Sequence, residues 1–116
     1  MACLAKIATM QQQAIYEVRA EILKAIAHPS RLMILDALAD GERCVCELQE
    51  IVGSDMSTVS RHLALMKSAR LLASRRDGTS VYYRLRVPCV LRFFSCVEAV
   101  LAADAKERAR LARGLA

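Results

Sequence analysis

Apolar positions recur at helical spacing along most of this chain, and Pro, Gly and Asp residues interrupt the pattern at intervals. Such spacing predicts amphipathic helices, with Pro at a first helical position and Gly just past a last one marking their ends. On these signals helices are expected over about residues 11–27, 29–40, 47–52 and 55–69. The third is short and is followed by a Gly-containing turn and a longer helix, which is the order of a helix-turn-helix.

Two short segments rich in β-forming residues follow the fourth helix, Leu71–Arg76 and Thr79–Leu85. Asp77–Gly78 between them is a strong signal for a tight hairpin turn. A hairpin directly after a helix-turn-helix is a wing. The expected fold class is therefore mainly α with a β-hairpin wing: one winged helix-turn-helix domain over residues 1–116, in which residues 1–10 form a mobile N-terminal arm.

The last predicted helix opens at Pro88 and is apolar on nearly every side up to Asp104, and a basic, alanine-rich tail over Lys106–Arg113 follows it. A helix of this kind, in a chain of 116 residues that is 55% hydrophobic, needs an apolar partner, which predicts a second subunit. No apolar run reaches the roughly eighteen residues of a membrane span, and the N-terminus does not resemble a secretory signal. A cytoplasmic protein without a membrane partner is expected.

Charge and the pattern of the fourth helix both favour DNA as a partner. Seventeen Lys and Arg against 12 Asp and Glu give a net charge of +5, which suits a polyanion without identifying one. Val59, Leu63 and Met66 share the inner side of the helix, and the opposite side carries small and hydroxyl side chains that a major groove can admit. An ordinary solvated face is the alternative, but the neighbouring short helix and hairpin favour contact with double-stranded DNA. The predicted contact residues are Ser57, Thr58, Ser60, Arg61, Ala64, Lys67, Ser68, Arg75, Arg76 and Thr79.

Five cysteines are many for a chain expected in a reducing compartment, where thiols serve as ligands or sensors more often than they form disulfides. Cys44 and Cys46 would project to one side if their segment is extended, and would then chelate one ion at the start of the third helix, whose dipole favours thiolates. A pair of small buried apolar side chains is the alternative. Cys89 and Cys96 are too far apart on one helix to bond to each other, and packing is favoured over ligation there. Cys3 lies in the N-terminal arm.

Four segments taken together resemble the ArsR/SmtB metalloregulatory repressors over nearly the whole chain: Ala27–Arg31, Glu42–Leu48, Ser57–Leu63 and the wing segment Asp77–Tyr83. The resemblance implies a homodimer paired through its first and last helices, which binds operator DNA without metal and releases it when thiolates capture an ion. It implies As(III) or Sb(III) as the inducer, with Cd(II), Pb(II) or Zn(II) as alternatives, and no organic cofactor. The implied dimer interface includes Ile15, Ile22, Phe93, Phe94, Val97 and Leu101.

The chain departs from the arsenic-responsive pattern in one respect. Members with Cys-Val-Cys often carry a third cysteine one helical turn after the second, where this chain has Glu47–Glu50. Some relatives complete the site from the N-terminal arm of the other subunit, which would nominate Cys3. Others sense through thiols of the last helix, which would nominate Cys89 and Cys96, and the sequence leaves both open.

Two other functions compete with metal sensing. The same fold can be switched by oxidation or persulfidation of its thiols, although two cysteines separated by one residue favour a metal ion. A thiol-dependent enzyme would need a His or acid positioned beside a cysteine, or a phosphate-binding glycine loop, and neither is found in the sequence. No catalysis is expected.

Overall fold

The computed structural model describes residues 2–115, with side chains described for residues 9–114. The helices are α1 (Ala2–Ile26), α2 (Pro29–Ala37), α3 (Val45–Val52), α4 (Met56–Ser68) and α5 (Val90–Leu115), and the strands are β1 (Arg43–Cys44), β2 (Leu72–Asp77) and β3 (Ser80–Leu85). One turn of 3₁₀ helix, Leu38–Asp40, extends α2. The order of elements confirms the predicted winged helix-turn-helix. The chain divides into two compact units, Met1–Arg86 and Val87–Ala116, and the winged helix-turn-helix lies within the first.

The core of the first unit is built by apolar side chains from α2, α3, α4 and the hairpin. The largest of them are almost completely buried: Ile34, Leu35, Leu48, Val59, Leu63, Met66 and Leu72. Burying one such side chain stabilises the fold by about 1.5–3 kcal/mol. Three of these residues form the inner side that the periodicity of α4 predicted, so the opposite side of α4 faces solvent.

The helix boundaries follow from local chemistry. Pro29 opens α2, and His28 before it is extended and caps the helix, because its Nδ1 accepts a hydrogen bond of 3.0 Å from the Ser30 N–H. Gly53 ends α3 in the left-handed conformation, with φ of +79°, and its N–H donates to the Gln49 carbonyl at 2.8 Å. A turn of three residues then leads from α3 into α4, which fixes the two helices as a helix-turn-helix.

The three strands form one antiparallel sheet in the order β1-β3-β2. β2 and β3 are paired up to Asp77 and Ser80, so the loop is Gly78–Thr79 and not the predicted Asp77–Gly78. The loop needs a positive φ at its first position, as in a type II′ turn, and Gly78 supplies it with φ of +62°. The predicted turn is therefore wrong by one residue, and Asp77 ends the strand.

Helix α1 is longer than the sequence predicted. It begins at Ala2, so the segment over residues 1–10 that was expected as an arm is part of a helix from its second residue onward. This segment contains no Gly or Pro and is rich in Ala, Met and Leu, which extend a helix at little cost. The side chain of Cys3 lies outside the described residues.

Helix α5 also includes the basic segment Lys106–Arg113, which the sequence predicted as a tail after the helix. Two ion pairs along its surface support this second half, Arg108 to Asp104 at 3.2 Å and Arg110 to Glu107 at 2.7 Å. It begins at Val90, so Cys89 lies in the turn that precedes it. No helix in the described part of the chain is both long and apolar enough to cross a membrane.

We expect Leu63→Ala to lower the free energy of unfolding by about 2–5 kcal/mol, because Leu63 is fully buried and its truncation leaves a cavity. Leu65→Ala is the matched control on the same helix: Leu65 is 44% exposed and its truncation should cost much less. Urea denaturation at one protein concentration measures both. Equal losses would show that the inner side of α4 is not the side that holds the core together.

Candidate DNA interface and thiol sites

The outer side of α4 and the hairpin form a continuous candidate for DNA contact, here called the DNA-facing surface. The predicted contact residues that are exposed define it: Ser57, Ser60, Arg61, Ala64, Lys67, Ser68, Arg75, Arg76 and Thr79. Thr58 is the exception, because it is half-buried. Small side chains dominate the α4 part of this surface, so another molecule can approach the helix backbone closely.

The first turn of α4 is organised by Asp55. Its carboxylate accepts a hydrogen bond from the Ser57 hydroxyl and one of 2.5 Å from the Thr58 hydroxyl. These two hydrogen bonds, that of Ser57 first, lower the pKa of Asp55 from 3.8 to about 2. The hydroxyls of Ser57 and Thr58 both donate their protons to Asp55. Toward DNA they therefore present oxygen lone pairs, which accept hydrogen bonds.

Two cations of α4 differ in their surroundings. Arg61 is exposed and has no acidic partner among the described residues. Lys67 donates a hydrogen bond of 2.6 Å to the Ser74 hydroxyl of β2, which ties the last turn of α4 to the hairpin. Arg61 is therefore the cation of α4 that is most readily available to a base edge or phosphate.

The two arginines predicted at the wing also differ. Arg75 donates three hydrogen bonds of 2.5–3.0 Å to the Glu42 carboxylate, and its guanidinium lies 4.5 Å from the ring centroid of Tyr82. The hydrogen bond from Arg75, together with the positive charges of Arg75 and Arg84, lowers the pKa of Glu42. Arg76 projects to the other side of the strand and has no acidic partner among the described residues. Of these two arginines, Arg76 is the one that is free to meet a phosphate.

A pair of histidines joins α2 to α4. The ring centroids of His28 and His62 lie 4.4 Å apart, with the rings inclined at 46°. Burial first, and then the positive charges of His28, Arg31 and Arg61, lower the pKa of His62. His62 is half-buried on α4, and His28 caps α2, so the pair links the two helices.

The segment Glu42–Glu47, here called the thiol segment, does not have the predicted conformation. Helix α3 begins at Val45 and not near Glu47, so Cys44 is its extended N-cap and Cys46 lies in its first turn. The prediction that both thiols project from one extended segment is therefore wrong. The physical reason is Glu47, which stands three residues after the N-cap and accepts hydrogen bonds from the thiol and the backbone N–H of Cys44; the second is one half of a capping box and favours a helix start at Val45.

Hydrogen bonds to Glu47 hold the start of α3 together. The Cys44 thiol donates to Glu47 Oε1 at 3.4 Å, and Arg43 Nη1 donates to Glu47 Oε2 at 3.1 Å. These two bonds lower the pKa of Glu47, the one from Cys44 most. Cys44 is half-buried and Cys46 is exposed. Cys44 and Cys46 both lie at the N-terminus of α3, and the Glu47 carboxylate is hydrogen-bonded to Cys44.

The other predicted ligands lie on other parts of the chain. Cys89 and Cys96 are exposed and belong to the second unit, and the Cys3 side chain is outside the description. Among the described side chains, no three His, Cys, Asp or Glu residues converge where they would hold one metal ion. Two soft donors at the start of α3 therefore fit a thiophilic ion only if a further ligand comes from elsewhere.

Sequence reasoning offered Ser54 or Asp55 as the cap of α4, and Asp55 is its N-cap residue. It missed two contacts in this region, the histidine pair and the Glu42–Arg75 ion pair. Both join residues more than thirty positions apart, 33 in the case of Glu42 and Arg75. No local sequence pattern predicts the histidine pair or the Glu42–Arg75 ion pair.

The arrangement of α3, the turn, α4 and the hairpin defines a winged helix-turn-helix of the DNA-binding type. Residues 28–74 match the family model described as "Bacterial regulatory protein, arsR family". The HTH-type transcriptional regulator Rv0081 of Mycobacterium tuberculosis is 33% identical over 100 residues, which are 85% of this chain and 88% of that protein. A transcriptional repressor SmtB homolog of Synechocystis is 46% identical over 66 residues, 57% of this chain and 50% of the relative.

Solved structures of similar proteins support the same classification. The homodimeric winged helix-turn-helix DNA-binding domain of a Mycobacterium bovis protein superposes with a TM-score of 0.71 and 36% identity, covering 84% of this chain and 90% of that one. NolR from Sinorhizobium fredii gives a TM-score of 0.71 and 31% identity over 78% of this chain and 90% of NolR. This chain belongs to the ArsR family of transcriptional regulators.

The histidine pair predicts a pH dependence of stability. The unfolded chain takes up a proton on His62 as the pH falls through about 6.5, whereas the folded protein, in which the pKa of His62 is lower, takes it up only at lower pH. The stabilisation due to neutral His62 is thus complete above about pH 6.5 and is lost as the pH falls toward the pKa of the folded state.

Wild type should therefore lose more free energy of unfolding between about pH 7.5 and about pH 5.5 than His62→Gln, which cannot titrate there. Chemical denaturation at fixed protein concentration gives both values. Parallel pH profiles for the two proteins would contradict the assignment, because every other titrating group is common to both.

Proposed function

We propose that this chain is a homodimeric repressor that binds operator DNA when its thiols are free and releases it when they bind a soft metal or metalloid. The proposal has three parts: a DNA-facing surface, a dimer interface and a thiol switch. The observation that carries it is the outer side of α4, with Arg61 exposed beside small residues and without an acidic partner.

Contact with DNA is supported by size and charge. A major groove about 12 Å wide admits a helix whose outer residues are small, and Arg61 has the fork geometry that pairs with a guanine edge. Arg76 and Thr79 at the wing extend the surface toward a neighbouring stretch of backbone. The proposed partner is double-stranded operator DNA.

Arg61→Ala should lower operator affinity by roughly 10- to 100-fold, the loss expected for one arginine–guanine contact, and leave the fold intact. The matched control is Arg108→Ala, which removes an exposed arginine of α5 that is paired with Asp104. Duplexes selected by the wild type from a random-sequence library serve as operators, and fluorescence anisotropy measures binding. Unchanged affinity of Arg61→Ala would show that α4 does not enter the groove through this side.

Dimer formation is supported by apolar side chains left exposed on two helices. On α1 these are Met10, Ile15, Tyr16, Val18, Ile22 and Leu23, and on α5 they are Phe93, Val97, Val100, Leu101 and Leu111. Phe94, also predicted at the interface, is half-buried. Apolar surface of this extent along a helix marks an interaction site, and the similar M. bovis domain is a homodimer.

Val97→Glu should convert the dimer to monomers or cause aggregation, because it places a charge in the proposed apolar interface. Val97 is 47% exposed in the isolated chain, so the change should not disturb folding by itself. Glu98→Gln on the neighbouring position is the control. Sedimentation that shows an intact Val97→Glu dimer would exclude this part of α5 from the interface.

The thiol switch is supported by the chemistry of its donors. Cys44 and Cys46 offer two soft sulfur ligands at the start of α3, and thiolates are what As(III), Sb(III), Cd(II), Pb(II) and Zn(II) bind well. As(III) or Sb(III) is the proposed inducer, with the other ions as alternatives. A third sulfur would come from Cys3, or from Cys89 or Cys96, supplied by either subunit. An ion held by these thiols would act by cross-linking segments, and it must favour the DNA-free conformation, since equal affinity for both states shifts nothing.

Cys44→Ser and Cys46→Ser should each abolish ion-induced release while leaving ion-free DNA binding intact, because neither residue belongs to the DNA-facing surface. Anisotropy with and without sodium arsenite, and then with each alternative ion, measures release. Cys3→Ser and the double variant Cys89→Ser with Cys96→Ser identify the remaining ligand by whichever weakens the response.

Two results would contradict this site. If the Cys44 and Cys46 variants stay fully inducible and the Cys89/Cys96 double variant does not, the sensor lies in the second unit. If peroxide or a persulfide donor releases DNA and none of the ions does, with mass spectrometry showing modified thiols, the switch is thiol oxidation or persulfidation.

A further inference from the structure

Strand β1 joins the thiol segment to the wing through very few backbone contacts. It is two residues long, Arg43–Cys44, and it pairs with β3 so that Cys44 opposes Tyr82. Tyr82 in turn opposes Arg75 of β2. Opposed residues project to the same face of a sheet, so the side chains of Cys44, Tyr82 and Arg75 follow one another across it.

Arg75 reaches back across this row of side chains. Its guanidinium lies above the Tyr82 ring, and its nitrogens donate to both carboxylate oxygens of Glu42, the residue just before β1. Strand β2, the outer strand of the wing, is thereby linked by hydrogen bonds to Glu42 of the thiol segment. Tyr82 of the central strand β3 lies between them. We call this contact the Glu42–Arg75 clamp.

The geometry of the clamp has two features that strengthen a surface ion pair, which ordinarily contributes little to stability. Arg75 engages the carboxylate with two different nitrogens, and the Tyr82 ring restricts the guanidinium, so less conformational entropy is lost in forming the pair. On the other face of the segment, Arg43 Nε donates to the Ala37 carbonyl at 2.7 Å. The residues around Cys44 are therefore tied to the helices on one face and to the wing on the other.

We propose that the Glu42–Arg75 clamp transmits ligand occupancy at Cys44 to the wing, an inference that rests on the proposed function. When the Cys44 sulfur becomes a ligand, it gives up its hydrogen bond to Glu47 and its segment shifts. The clamp forces the wing to follow, which moves Arg76 and Thr79 relative to α4 and disrupts the DNA-facing surface. Glu42 is a positioning residue in this scheme, since it belongs neither to the thiol ligands nor to the DNA-facing surface.

Glu42→Gln tests the clamp because it keeps the size of the side chain and removes its charge. The readout is the coupling ratio, the operator affinity without ion divided by the affinity with saturating ion, using the first of sodium arsenite, antimony tartrate, Cd²⁺, Pb²⁺ and Zn²⁺ that releases the wild type. We expect a ratio of about 10–100 for wild type and one within about threefold of unity for Glu42→Gln. Ion-free operator affinity should not fall, whereas a merely structural role for Glu42 would lower it.

Glu50→Gln is the matched control, because it removes one negative charge from the same helix region without touching the clamp, and its ratio should equal that of wild type. Arg75→Gln is a second variant, and the double variant with Glu42→Gln should show no further loss of coupling if both act through one contact. If Glu42→Gln does not fold, Arg75→Gln decides alone, since the ratio corrects for any change in its ion-free affinity.

The outcomes separate the two proposals. A wild-type ratio for both Glu42→Gln and Arg75→Gln, with Cys44→Ser unresponsive, overturns the clamp and leaves the thiol switch standing. A wild type that holds DNA equally well with every ion overturns the thiol switch, and the clamp as its transmitter with it.

Discussion

Complete burial of the inner side of α4 is the constraint on which the rest of this structure depends. Val59, Leu63 and Met66 have no exposed surface, and they pack among side chains of α2, α3 and β2. Because a close-packed core tolerates little rotation of a helix, the burial of one side fixes the direction of the other. The outer side of α4, the DNA-facing surface and the histidine pair all take their positions from this packing.

The thiol segment is constrained in a different way, by polar contacts. Cys44 ends β1 and is the N-cap residue of α3, and Glu42, just before β1, is paired with Arg75 of the wing. Glu47 accepts hydrogen bonds from the Cys44 thiol and from Arg43 at the start of α3. Any ion that binds the Cys44 sulfur would have to replace its hydrogen bond to Glu47.

The family match includes two of the five cysteines of the chain and leaves three outside it. The family match covers residues 28–74, which contain the helix-turn-helix, Cys44 and Cys46. Cys3, Cys89 and Cys96 lie outside it. The helix-turn-helix and these three cysteines lie on different elements, which allows ligand chemistry to differ among proteins that share the fold.

The sequence alone determined the elements whose signals are local. Periodicity located the helices and the inner side of α4, Pro29 and Gly53 located helix ends, and a glycine located the wing to within one residue, because each of these depends on near neighbours in the chain. The resemblance to the ArsR/SmtB repressors supported the same fold class, a winged helix-turn-helix, and the structure confirmed that fold class.

Only the tertiary structure decided which polar side chains are free and which are occupied. Arg75 and Arg76 are adjacent, and the sequence predicted both equally as DNA contacts. Glu42, 33 positions from Arg75, pairs with Arg75 and leaves Arg76 available. Likewise Cys44 and Cys46 share a short motif, but the early start of α3 separates their conformations. Ion pairs and strand pairing form between residues that the fold brings together, and their partners cannot be found from neighbouring residues, because the interaction depends on distance in space and not along the chain.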